Sequence, residues 1–293
     1  MLNDPEVQQA AAAFRLGLPR LPARGSSGEL LGRGSGSSLE FQEYREYLPG
    51  DDIRHLDWAA YARTDSLMVR LYREEISPRV EIFLDASKSM NTRTPLRQDP
   101  PAAGKALVAK QLTALLALLA ARLGGRPTIF PLDDGRPVKT WGLKELDSLE
   151  SYPLDAVSTL ADAASANQIP PGRQAVRIVI SDFLFPHDPE QLVKQFANNV
   201  SALWVLQLLN RWEAAPTPLG GRRLIDLETD LESDLVLDEK NIADYLSRLN
   251  RLKETLGKSC RRRRAVFATL IADAGLTEIC KSNLCRLGIL EPS

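Results

Sequence analysis

Val80-Glu81-Ile82-Phe83-Leu84-Asp85-Ala86-Ser87-Lys88-Ser89-Met90 begins as an apolar run without a useful period and then turns abruptly polar. A short apolar run closed by a polar turn has the signature of a strand buried on both faces. Comparable runs follow at 128–132, 176–180 and 202–208, and another at 266–271. Helical patterns separate them over 102–123, 160–167, 189–199 and 241–256, with a last helix over 276–287. Buried strands alternating with helices predict βαβ units and a mainly parallel sheet. The expected architecture is a three-layered, doubly wound, Rossmann-like α/β domain over residues 78–235. Residues 236–293 complete that domain. No internal repeat interrupts the pattern.

Upstream the text differs. Residues 5–18 predict a short helix, with Val7, Ala11, Phe14 and Leu18 at helical spacing. The glycine- and serine-rich stretch 25–38 reads as a loop, so residues 1–38 form a helix and a flexible connection. Residues 39–77 read as a β-rich extension packed on the domain, built around a turn at Pro49-Gly50.

Composition bounds the function. The 293 residues carry 37 Lys and Arg against 38 Asp and Glu, a net charge of −1 that gives no global field for nucleic acid or an anionic membrane. The longest apolar stretch, 112–123, is broken by Thr113 and Arg122 and is too short to span a bilayer. The first residues are acidic before they are apolar, without a basic leader region. Three cysteines, Cys260, Cys280 and Cys285, suit a reducing compartment. The expectation is a cytoplasmic protein without membrane insertion or nucleic-acid binding.

The chemistry concentrates where strands end. In an open parallel sheet, ligands bind outside the carboxyl ends of the strands. Asp85 closes one strand and is followed by Ser87 and Ser89; Asp182 closes another, in Ala175-Val176-Arg177-Ile178-Val179-Ile180-Ser181-Asp182-Phe183. Thr159 lies between them, at or beside a helix N-cap, as either a ligand or a simple cap. All five offer oxygen, the ligand set of a hard cation such as Mg²⁺, with Mn²⁺ or Ca²⁺ as alternatives. Neutral hydroxyls on the metal would leave it hungry for an outside carboxylate, with the aspartates acting through waters. The competing reading of Asp-x-Ser-x-Ser is turn chemistry alone.

The pattern Asp85-x-Ser87-x-Ser89, Thr159, Asp182 resembles the metal-ion-dependent adhesion site of von Willebrand factor A domains. Tyr44-Arg45-Glu46-Tyr47-Leu48-Pro49-Gly50-Asp51-Asp52-Ile53-Arg54-His55-Leu56-Asp57-Trp58, with Ala62-Arg63 after it, is similar to the bacterial family called domain of unknown function 58. The resemblance covers residues 39–273 and implies a von Willebrand factor A-like domain with a divalent cation on those five residues. It also implies a MoxR-type AAA+ ATPase, or its client, as partner, and a part in assembling or activating other proteins. Glycines usual before the family's threonine are replaced here by Val157-Ser158.

A non-enzymatic interaction module is thus expected. One alternative is a Mg-dependent phosphohydrolase of the haloacid-dehalogenase type. Such enzymes need a second aspartate two positions after the first, where this chain has Ser87, and a lysine, for which Lys105 is the candidate. A scaffold with a degenerate metal site, holding its partner by residues 49–58, is the other.

Remaining motifs read blandly. Residues 51–58 are a binding surface or, as expected here, a structural segment with Ile53 and Trp58 in a small core and Arg54 paired with Asp51, Asp52 or Asp57. His55 and His187 are too separated for zinc, and Cys280 and Cys285 lack metal spacing. Arg261–Arg264 is expected to be a solvated turn at a helix C-terminus, or else a contact for an acidic partner. Gly32, Gly34 and Gly36 make no dinucleotide fingerprint, and no phosphate-binding loop is present.

Overall fold

The computed structural model describes residues 1–17, 39–74, 79–92, 104–134, 139–166, 169–171, 175–218, 220–225 and 232–293. For 39–43, 71–74, 221–225 and 232–237 it describes the backbone alone. The loop expected over 25–38 lies outside the described residues. In chain order come α1 (Pro5–Ala13), β1 (Phe14–Leu16), β2 (Leu39–Glu46), α2 (Trp58–Thr64), β3 (Met68–Glu74) and β4 (Arg79–Asp85). Then follow α3 (Lys105–Arg122), β5 (Arg126–Leu132), α4 (Ser148–Ser151), α5 (Leu160–Ser165), β6 (Val176–Ser181) and α6 (Pro189–Phe196). The chain continues through β7 (Ala202–Leu209), α7 (Arg211–Ala214), β8 (Gly220–Ile225), β9 (Glu232–Leu237) and α8 (Glu239–Arg262). It ends with β10 (Val266–Ile271), α9 (Gly275–Glu278) and β11 (Leu290–Pro292).

The chain divides into two compact units, residues 1–19 with 78–293, and residues 20–77. In the larger unit five parallel strands lie in the order β10-β7-β6-β4-β5, an α/β arrangement with helices on both faces. Alternation along β4 explains the layering: Val80, Ile82 and Leu84 face one core, and Phe83 the other. The first core takes α1, α3 and the C-terminal turns. The second takes α5, α6 and α8. Helix α3 is apolar on nearly every side, because twelve of its eighteen residues are buried, among them Leu112, Leu115, Leu116 and Leu119. Each such leucine contributes roughly 1.5–3 kcal/mol of burial free energy.

Strand order fixes where a site can form. β5 lies on one side of β4, and β6, β7 and β10 lie on the other, so the winding reverses between β4 and β6. Helices leaving the two strands go to opposite faces and open a crevice at their carboxyl ends. Asp85 and Asp182 stand at that point.

Two expectations for this unit need correction, and one element is new. The helix of 5–18 ends at Ala13, because Phe14–Leu16 extends to pair antiparallel with Leu290–Pro292; Leu18 lies outside the described residues. Next to this pairing, a Cβ on Gly17 would meet the Gly288 carbonyl oxygen at 2.3 Å, so no side chain fits there. The last helix breaks into α9 and a π-helical turn over Ile279–Leu284. The two-stranded β8–β9 ribbon had no counterpart in the sequence reading. Arg261 and Arg262 close α8, and Arg264 turns the chain with a φ of 54°, exposed as expected of that run.

The smaller unit pairs β2 with β3 antiparallel and carries α2 between them, a helix where the sequence suggested only strands. Asp57 explains that helix. Its carboxylate caps the Ala59 and Ala60 amides at 2.9 and 3.0 Å and accepts from the Tyr44 hydroxyl and the Arg70 guanidinium, each at 2.9 Å. Ile53 and Trp58 do not form a core. They are 66% and 64% exposed, and Leu48 and Tyr61 are exposed beside them. The physical reason is that 53–55 is a single 3-10 turn, and α2 buries only Ala60. Of the expected partners, Arg54 takes Asp52, at 2.6 Å.

The Ala60 amide, the Tyr44 hydroxyl and Arg70 hold the Asp57 carboxyl down to about 2. A depressed carboxyl stabilises the fold above its ordinary value near 4 and loses that contribution as pH falls through 2. Amide exchange across residues 58–64, corrected for intrinsic rates, is therefore expected to accelerate between pH 4 and pH 2. Asp57→Asn should remove that step; an unchanged step in the variant would refute the assignment.

Candidate functional site

β4 delivers Asp85 with its side chain fully buried. One carboxylate oxygen accepts the Ser87 amide at 2.9 Å, and the other accepts the Ser181 hydroxyl at 2.5 Å. Ser181 closes β6 and accepts the Phe183 amide at 3.0 Å, so it bridges the ends of the two strands. Ser87 is fully buried and Ser89 half-buried, and their hydroxyl oxygens stand 3.1 Å apart. Burial, then the nearby Asp182 charge, push the Asp85 carboxyl up to about 6.

Asp182 is also fully buried. It accepts the Leu184 amide at 3.0 Å and the Lys105 ammonium at 2.9 Å. Lys105 is the first residue of α3 and fully buried; its ammonium also donates to Glu213 at 2.8 Å. Burial alone would depress this lysine, but Asp182 and Glu213 outweigh it and raise it above its ordinary value. Glu213 belongs to a capping box, accepting the Asn210 amide at 2.7 Å. The Thr92 hydroxyl lies 2.9 Å from Glu213 and 2.8 Å from the Ser89 carbonyl oxygen, able to donate to one at a time.

Thr159 is placed differently. Its loop runs alongside the serines: the Ala156 amide donates to Ala86 and the Lys88 amide to Ala156, at 2.9 and 3.1 Å. The exposed Asp134 carboxylate holds that loop through the Val157 and Ser158 amides, at 3.0 and 2.7 Å, which keeps it below the usual carboxylate range. The Thr159 hydroxyl itself is committed to a capping box with Asp162, at 2.8 Å. Thr159 is thus the N-cap of α5, one of its two expected readings.

The structure thus gathers Asp85, Ser87 and Ser89 at the switch point, sets Asp182 beside them with its charge taken by Lys105, and turns Thr159 to its own helix. Among the described residues, no group of three or more His, Cys, Asp or Glu side chains forms a metal-holding cluster. The serines do suit a small hard cation. Oxygens at right angles around a magnesium 2.0–2.1 Å away lie about 2.9 Å apart, close to the 3.1 Å between Ser87 and Ser89. That spacing belongs to the hydrogen-bonded Ser87 and Ser89 hydroxyls, directly after Asp85; the Thr159 hydroxyl is engaged with Asp162.

Glu213, Ser181 and Thr92 were not foreseen as site residues. Glu213 had one faint signal, Asn210-Arg211-Trp212-Glu213, a capping-box spacing. His187 stays outside the cluster: its Nδ1 lies 2.7 Å from the Phe185 carbonyl oxygen, and its ring sits against Phe183 and Phe185. Cys280 is buried in the first core with Cys285 packed against it. No helix among the described residues is long and apolar enough to cross a membrane.

The model of a family described as "Protein of unknown function DUF58" matches residues 43–255. The uncharacterized protein Rv1480 of Mycobacterium tuberculosis is 26% identical over 246 residues, covering 81% of this chain and 76% of its own length. The uncharacterized protein Mb1516 of Mycobacterium bovis aligns with the same figures. Among solved structures, the conserved hypothetical protein BatB from Bacteroides thetaiotaomicron aligns with a TM-score of 0.40 at 13% identity, over 72% of this chain and 98% of its own. An aerotolerance-related membrane protein from Bacteroides fragilis aligns with a TM-score of 0.40 at 14% identity, over 70% and 97%.

Proposed function

The chain belongs to the DUF58 family of proteins of unknown function, and we propose that it is a non-enzymatic interaction module with a von Willebrand factor A-like domain. It binds an acidic group of a partner protein through a divalent cation, Mg²⁺ first among candidates, held by Asp85, Ser87 and Ser89. The partner is a MoxR-type AAA+ ATPase or its client, and the setting is the cytoplasm. The observation that carries this reading is the pair of serine hydroxyls 3.1 Å apart, directly after a buried aspartate at the switch point of the sheet.

The site's other features agree. Neither Ser87 nor Ser89 is hydrogen-bonded to a histidine that would make it a nucleophile. For a phosphohydrolase, the lysine would have to serve Asp85, the strand-end residue that takes the phosphoryl group. Instead its ammonium lies on Asp182 and Glu213. What the cation supplies, when bound, is Lewis acidity toward an incoming carboxylate. Asp85 holds the turn that presents the serines, through its bond to the Ser87 amide.

The exposure of Ile53 and Trp58 favours a second reading, in which residues 49–58 hold the partner without metal.

One experiment tests both. Mn²⁺ titrated into chelator-treated protein should bind saturably, and Ser87→Ala/Ser89→Ala should weaken it at least about tenfold with little change in stability. Equal binding by the variant would refute the metal site. Capture of the ATPase that survives excess chelator and disappears in Trp58→Ala would establish the second reading instead.

A further inference from the structure

Lys105 stands where a helix disfavours it. It opens α3, with Gly104 as an N-cap that makes no side-chain bond and no acidic residue in the first turn. Helix N-termini carry partial positive charge, so an ammonium there opposes the helix dipole. It is also fully buried, at the cost of its hydration. Two carboxylates hold it there, Asp182 at 2.9 Å and Glu213 at 2.8 Å. A lysine kept against both local preference and desolvation marks a place where its charge is used.

Asp182 directly follows Ser181, whose hydroxyl donates to Asp85 at 2.5 Å, and is fully buried, so it is the natural second acidic neighbour for a cation at Ser87 and Ser89. The Lys105 ammonium already neutralises it. We propose that Lys105 is a resident cation that sets the selectivity of the site: it withholds Asp182 from a divalent ion, so the ion is held by Asp85, Ser87 and Ser89 alone. This inference rests on the metal reading given above. An ion so held keeps most of its charge, binds the free protein weakly, and is completed by a carboxylate from outside. Ligand charge count is the main setting of divalent affinity in oxygen sites. Glu213 anchors the ammonium from the far side, and Thr92 connects Glu213 to the turn carrying Ser89.

Lys105→Met/Glu213→Gln removes one positive and one negative charge together, so the net charge of the protein is unchanged while Asp182 is released. Mn²⁺ titration of this full-length variant should show affinity at least about tenfold above wild type. The thermal midpoint of the variant should rise with added Mn²⁺ more steeply than that of wild type. Adding Ser87→Ala should abolish both effects. Glu213→Gln alone keeps the ammonium on Asp182 and should weaken binding, which provides an opposite sign should the double variant fail to fold. A folded double variant with wild-type affinity overturns the role of Lys105. If wild-type binding is still lost in Ser87→Ala/Ser89→Ala, the metal site survives that result. No Mn²⁺ binding by wild type or variant overturns both.

Discussion

Lys105→Met should lower the folding free energy by about 3–5 kcal/mol, measured by urea unfolding followed by far-UV circular dichroism. The loss is not the value of two hydrogen bonds. Removing the ammonium leaves Asp182 fully buried, and Glu213 nearly so, without their cation. An uncompensated buried charge is costlier than an absent ion pair. The comparison variant is Lys258→Met, whose side chain is 63% exposed in a long 3.5 Å pair with Glu254; it should change stability by less than about 0.5 kcal/mol. Lys105→Met/Glu213→Gln should lose less than the sum of its parts, since the second change removes one of the stranded charges. A Lys105→Met protein as stable as wild type would show that water or a rearranged cation reaches Asp182.

Phe83→Ala should cost a similar amount, about 3–5 kcal/mol, by a different mechanism. The ring stacks on Phe130 with centroids 4.6 Å apart at 8° and meets Phe196 edge-on at 5.2 Å. The Arg177 guanidinium lies 5.0 Å from the ring centroid, held by Glu81 at 2.6 Å and by the Phe196 and Pro170 carbonyl oxygens. Truncation opens a cavity in the second core and strips one face from a fully buried arginine. Phe83→Leu should recover much of the loss, because the volume is partly restored. Phe83 and Asp85 are two residues apart, so a loss of Mn²⁺ binding in folded Phe83→Leu would mean that the site depends on the packing beneath it.

These two variants also divide what was legible in the sequence. The sheet was readable because buried parallel strands show as short, mostly apolar runs: Val80–Leu84 is broken only by Glu81 and Val176–Ile180 only by Arg177, and those two pair with each other. Strand order was not readable, since no local pattern encodes which strands pair across a crossover. The Asp85 and Asp182 positions followed from strand ends. Thr159 was ambiguous because a ligand and an N-cap use the same hydroxyl; the capping box with Asp162, three residues on, had a readable spacing. Glu213 was hidden because its role is purely tertiary: Lys105 is 108 residues away in sequence. Helix α2 was missed because β-favouring residues on both sides outweighed a single cap, Asp57. Ile53 and Trp58 were misplaced because large apolar residues default to a core, and this small unit offers no layer to bury them.

The pairing of β1 with β11 has a consequence for biosynthesis. Phe14 leaves the ribosome 278 residues ahead of Pro292, its register partner. At roughly 5–20 residues per second, the early segment waits about 15–55 s for its mate. Through that interval Phe14 and Leu16, both buried in the finished molecule, have no strand to cover them. A segment made long before its mate is therefore secured only when residues 290–292 arrive, and chains truncated ahead of them would keep it exposed to chaperones and proteases.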